Sequence, residues 1–150
     1  MDVAGITAAL ESHALRLGVF ERVNMHEPKG APSLSGLTLA IWMDRLTTVR
    51  SSGLTSTSVR LAFTHRIYTN FLAEPQSLID PNVLRALDAL AASWAADYTL
   101  GGLVRVIDLR GMDGEGLTAQ AGYLRVDNAM MRVVDVVCPL IVNDVWSEAP

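Results

Sequence analysis

Few side chains in this sequence are suited to chemistry: three histidines, one cysteine and a short acidic run. His13 flanks the apolar stripe of a helix-like segment and reads best as a boundary histidine. His26 lies in a Pro/Gly-rich loop and reads as solvated. His65 alternates onto the apolar side of a strand-like run with Phe63 and Ile67. A hydrogen-bonded imidazole in a core or an interface is the better reading there, ahead of a catalytic one. No two histidines stand at a metal-binding spacing, and Cys138 has no thiolate partner nearby, so it reads as a small core residue. Asp108, Asp113 and Glu115 could form a weak calcium site. The ligand order of a helix–loop–helix calcium site is absent, however, and a solvated acidic loop fits better. The run "GMDGEG" around the last two has its glycines in the wrong order for a phosphate loop, and its two acids would repel phosphate. With no GxSxG elbow either, the residues offer no active site, and no cofactor or metal is expected.

Charge narrows the function classes further. The net charge is −4, which disfavours a protein that lives by gripping phosphates. Arg60, Arg66, Arg105, Arg125 and Arg132 are spread along strand-like segments without interleaved aromatics, so they read as solvent-facing or salt-bridged. Half of the 150 residues are hydrophobic and only 19% are charged, a balance suggesting apolar surface buried against other chains. A chain of this length can bury roughly 70% of its unfolded surface, so one domain without disulfides is expected. The start of the chain lacks the pattern of a secretion signal, and "VVDVVCPLIV" covers about half a bilayer span, so no membrane partner is expected.

The elements that would position these residues alternate between two periods. Ile6, Leu10, Ala14 and Leu17 form a helical stripe, with Asp2 to cap it and Gly18 to end it. A short strand "VFERVNM" and an exposed loop "HEPKGAPSLSG" follow. Leu37, Leu39, Ile41 and Met43, then Val59, Leu61, Phe63, His65 and Ile67, alternate with more polar residues. That pattern predicts a long antiparallel hairpin with one buried face, in a register that keeps Arg60 and Arg66 out of the core. In "DPNVLRALDAL" the period changes to that of a helix. Asp80 is placed at the N-cap, Pro81 at the first position, and Leu84, Leu87, Leu90, Trp94 and Tyr98 on the stripe. The glycines at 101 and 102 stop this helix. "LVRVIDLRG" predicts a strand, and residues 127–128 ("DN") a tight turn between two more. The last strand is apolar on both sides, hence either central with a helix on each side or part of a subunit contact. Pro139 favours a strand end, an edge or a bulge. The fold class is α+β: a mostly antiparallel sheet with two main helices packed on it.

Several segments, in order and over most of the chain, carry a resemblance. They are "MDVAGITAALESHALRLGVFERVNMHEPKGAP", "VRSSGLTSTSVRL", "RIYTNFLAEPQSLIDPNVL", "YTLGGLVRVIDL", "AQAGYL" and "PLIVNDVW". The sequence resembles the tail terminator proteins of long-tailed (siphovirus-type) actinobacteriophages. That resemblance implies a non-enzymatic virion protein at the tail and neck junction, made in the host cytoplasm. Its copies would form a ring, usually a hexamer, on the head-proximal end of the tail tube. The ring would stop growth at the length set by the tape-measure protein and offer a surface to the head–tail connector. Implied partners are therefore the chain itself, the major tail tube protein, the connector and the tape-measure protein, with genomic DNA passing through unread. The alternatives are a connector or tail-completion protein of the same neck and, more remotely, a small enzyme with a scattered site.

A ring needs two unlike flanks and two unlike ends. For the flanks, Trp42 and Tyr68 are expected to stand wet on the polar side of the hairpin, with Val145 and Trp146 on the tail. For the ends, the expected contacts are mobile loops: residues 26–36 with His26 and Lys29, residues 50–56 with Arg50 and Ser52, and residues 111–116 with Gly111, Asp113 and Glu115.

Overall fold

In the computed structural model, which describes residues 1–32, 35–50 and 53–149, the chain opens with α1 (Val3–Leu17). The Asp2 carboxylate accepts the Gly5 N–H at 2.9 Å, satisfying one of the first-turn donors. Gly18 closes the helix at φ 66°, a conformation that costs a side chain with a Cβ. Strands β1 (Arg22–Asn24), β2 (Thr38–Val49) and β3 (Ser56–Asn70) follow. Helix α2 (Ile79–Ala96) comes next, then β4 (Val106–Ile107), β5 (Thr118–Val126) and β6 (Ala129–Ser147).

The described strands make one sheet in the order β1-β2-β3-β6, with β5 and β4 sharing the far side of β6. All pairs are antiparallel except β1 with β2. The architecture is α+β, with both helices on one face. There Ile6, Leu10 and Ala14 of α1, and Val83, Ala86, Leu90 and Trp94 of α2, pack on alternate residues of β2, β3 and β6. A smaller apolar cluster of Ala40, Tyr68, Met131 and Val133 lies on the other face. Residues 25–32 cross that second face on the way from β1 to β2. Glu27 there meets Arg66, and the Ala31 N–H donates to Asp127.

Four expectations change. First, β3 is covered on both faces, because it is central and has residues 25–32 and 111–116 behind it. Arg60 is buried and donates to the Glu115 carbonyl, so it is neither solvent-facing nor, among the described residues, salt-bridged. Arg66 is largely covered and salt-bridged to Asp135 and Glu27, one of the two expected readings. Second, α2 begins at Ile79, with Leu78 as its N-cap residue. Asp80 is turned instead toward Arg132, accepting from its Nε at 2.9 Å. Pro81 is tolerated two residues further in because first-turn N–H groups have no helical partner. The buried stripe is Val83, Ala86, Leu90 and Trp94, whereas Leu84 and Tyr98 are exposed. Third, α2 ends at Ala96, ahead of the glycine pair, and the strand expected at 103–111 shrinks to Val106–Ile107. β5 already occupies the edge of β6 from Ala129 to Val137, leaving only a short stretch for β4. Fourth, Pro139 lies inside β6. Its carbonyl accepts the Asp108 N–H, so its missing donor points to the gap where β6 changes partner from β5 to β4.

The Asp127–Asn128 turn forms as expected, with φ of 46° and 64° at its two residues, matching the twist of the hairpin it joins.

Candidate functional site

Three constellations could carry function, and the first is catalytic in outline. Ser93 and Asp97 stand one turn apart on α2, which sets both side chains toward α1. His13 bridges them, with Nδ1 at 2.5 Å from Ser93 Oγ and Nε2 at 3.1 Å from Asp97 Oδ2. Since the carboxylate can only accept, Nε2 carries the proton and Nδ1 accepts the Ser93 hydroxyl. The Gly101 N–H, followed by His13, holds the Asp97 carboxyl below its ordinary value. The residue types are those of acyl-transfer triads, but the setting is different. Ser93 is in the last turn of α2, where the backbone N–H groups are still consumed by the helix and cannot form an oxyanion hole. None of the grooves described below opens on these residues. The trio is a latch between α1 and α2. His13 is therefore a buried tie and not a boundary residue, a role hinted at only by the four-residue spacing of Ser93 and Asp97.

The second constellation is the acidic loop. Asp108 is buried, and its two carboxylate oxygens accept the N–H groups of Met112 and Asp113 at 2.7 and 2.9 Å. At Gly111, φ is 76°, and a Cβ would lie 2.7 Å from the Gly114 carbonyl oxygen. The loop expected to be flexible is thus wound tightly around Asp108 and tied to Arg60 through Glu115. Asp113 is half-buried near Arg105 at 3.8 Å, Gly111 is half-buried and Glu115 is exposed. Among the described residues, no group of three or more His, Cys, Asp or Glu is arranged to hold a metal ion.

The third constellation is a pair of open flanks. At one end of the sheet, β1 covers only Thr38–Ala40 of β2, so, among the described residues, 41–49 present an unpaired edge. A bulge between Met43 and Arg45 inserts one residue, which returns Leu46 to the same face as Met43. Met43 is 54% exposed, and with Leu46 and the start of α1 it frames an apolar groove of about 660 Å³. At the opposite end, among the described residues, β5 pairs only with β6. Beside it, Leu84 and Leu87 of α2 and Ala119 and Ala121 of β5 frame a second apolar groove of about 470 Å³.

The residues expected at interfaces distribute unevenly. Tyr68 is 1% exposed, so the expectation that an isolated chain leaves it wet is overturned; burial raises its pKa. Ala40 of β2, Met131 and Val133 of β6 and the Arg66 guanidinium supply the cover that periodicity does not reveal. Trp42 is half-buried, with the Arg66 guanidinium 5.1 Å above its ring. Asp135 grips that guanidinium with both oxygens, at 2.5 and 2.9 Å, and raises its pKa. Val145 packs on the core, while Trp146 stays 49% exposed although β6 reaches Ser147 and pairs Trp146 with Thr57. His26 is exposed at the rim of the first groove, Lys29 and Arg50 are exposed, and Ser52 lies outside the described residues.

His65 is fully buried, as its place on the apolar face implied. Its Nδ1 faces the Phe63 carbonyl at 3.4 Å, and its ring meets Trp94 edge-on with centroids 4.8 Å apart. Burial lowers its pKa to about 4, and burial alone pushes the Cys138 thiol upward. Both side chains are inert core.

No helix of the described residues is long and apolar enough to cross a membrane. No protein-family model and no curated protein matches the sequence. Among solved structures, a chain described as "Virion of native gene transfer agent (GTA) particle" is similar over 95% of this chain and 98% of that one. The identity is 19% and the TM-score 0.44, a likeness too distant to transfer a role.

Proposed function

We propose that the chain is a structural virion subunit, a tail terminator of a long-tailed bacteriophage. Its copies join side by side into a ring, expected to be a hexamer. The ring caps the head-proximal end of the tail tube, halts tube growth and presents a surface to the head–tail connector. The observation that carries this reading is the pair of unlike open flanks at opposite ends of one sheet. Closed rings larger than dimers use unlike contacts of this kind. The ordered sequence resemblance supplies the tail, and the use of His13 in a latch, Asp108 in a loop anchor and His65 and Cys138 in the core suits a structural subunit.

Imaging the purified protein with and without tail-tube protein tests it. Rings alone, or particles closing one end of tubes of limited length, are expected. A protein that leaves tube growth unchanged and binds instead to the head-side connector overturns the terminator role in favour of a neck connector. DNA affinity is expected to be weak and lost at ~150 mM salt.

A further inference from the structure

We infer that the free edge of β2 in one copy pairs with the free edge of β5 in the next, carrying the sheet across the subunit boundary. The inference rests on the self-assembly proposed above and names its contact. The two edges match in length: β2 has twelve residues, three of them paired with β1, which leaves nine, and β5 has nine. Neither contains Pro, one of the residues by which exposed edges are commonly guarded, although β2 carries a bulge between Met43 and Arg45.

Strand direction supports the pairing. β2, β3, β6 and β5 run alternately up and down. Rotating a copy about an axis along the strands leaves every direction unchanged. It therefore sets β5 antiparallel to the neighbour's β2 and keeps the helices of both copies on the same side. The helix-side residues are complementary in size as well. Met43 and Leu46 are large and exposed on β2, while Ala119 and Ala121 on β5 leave the groove below Leu84 and Leu87. Charge agrees too. The groove beside β2 is lined by Glu11, and by Glu27 that is paired with Arg66, with no Arg or Lys, and Arg125 on β5 makes no ion pair among the described residues.

The test uses two variants, each spoiling one edge: Met43→Lys with Leu46→Lys, and Ala121→Lys with Arg125→Glu. Their masses in solution are measured singly and as an equimolar mixture. Wild type is expected to form rings and each variant alone to stay monomeric. The mixture should stop at a one-to-one dimer, since each variant keeps one competent edge. Rings from either variant at wild-type concentrations overturn the edge assignment while leaving assembly intact. A wild type that stays monomeric both free and on tubes overturns assembly itself. Should a lysine variant unfold, Leu46→Cys and Ala121→Cys replace it, because setting residues 41–49 antiparallel to 118–126 places Ala121 opposite Leu46. Oxidation must then link the two unlike variants to each other, and Cys138, being buried, does not compete. Failure to link overturns the pairing.

Discussion

His65 makes stability depend on pH in a calculable way. In the folded chain its pKa falls to about 4 from an ordinary 6.5, because the imidazole is fully buried against Trp94. Its Nε2 has no hydrogen-bond partner among the described residues, and neither has the Trp94 indole N–H. The folded state therefore favours neutral imidazole. Above pH 6.5 both folded and unfolded chains carry it neutral and there is no penalty. Below 6.5 the unfolded chain binds a proton that the folded chain refuses, so stability falls by about 1.4 kcal/mol per pH unit until the folded group titrates near 4. At pH 5 the loss is about 2 kcal/mol, or roughly 4–8 °C in melting temperature for a chain of this size. Asp97, whose pKa is lowered, begins to matter only below its ordinary range, which leaves the window from pH 7.5 to 5 to histidine. Urea titrations of wild type and His65→Leu at pH 7.5 and 5.0 isolate the effect. Wild type should lose about 2 kcal/mol on acidification, and the variant should lose much less. Equal losses in the two proteins would refute the assignment, as would a wild type that is flat over this range.

Other expected outcomes follow from burial and partners. Trp94→Ala removes a fully buried side chain and should cost about 3–5 kcal/mol by chemical denaturation. Asp80→Ala should cost about 1 kcal/mol or less, because its exposed pair with Arg132 is all that it breaks. Asp108→Ala strands two backbone donors and should cost about 1–3 kcal/mol, with amide exchange at Met112 and Asp113 accelerating first. Trp146→Ala should change subunit stability by no more than about 1 kcal/mol, and light scattering should show weakened rings. A variant that unfolds would instead place Trp146 among the residues that hold its own subunit together.

Features governed by neighbours in sequence were the legible ones. Asp2 and Gly18 bound α1 because capping is a property of a few adjacent residues, and the Asp127–Asn128 turn forms for the same reason. The burial of His65 followed from alternation alone. Features decided by distant competition were not legible. Asp80 looks like a cap until Arg132, far along the chain, takes its carboxylate. The 103–111 segment alternates like a strand, yet β5 had claimed the ladder it needed. Tyr68 looked exposed because its cover is a second apolar cluster that includes Met131 and Val133, far along the chain. Within the candidate site, Met43 was assigned to the hairpin's buried face, but the helices stop short of it. Leu46 could not be placed until the bulge was seen.

The length of β6 has a mechanical consequence. Nineteen residues at ~3.3 Å each give β6 at most about 60 Å, less where residues 143–145 bulge opposite Ser58 with Asp144 at φ 51°, with the Asp127–Asn128 turn at one end and Trp146 at the other. β3 lies antiparallel to it along most of that distance, from Met131 to Ser147. A load applied between the two ends of β6 acts parallel to the strands, so the cross-strand bonds must shear together and cannot be peeled one by one. A force applied across the strands, at the two-residue β4, meets a zipper that opens singly. The molecule is stiff along one axis and yielding across it, and any machine built from it must align that axis with the direction of pull.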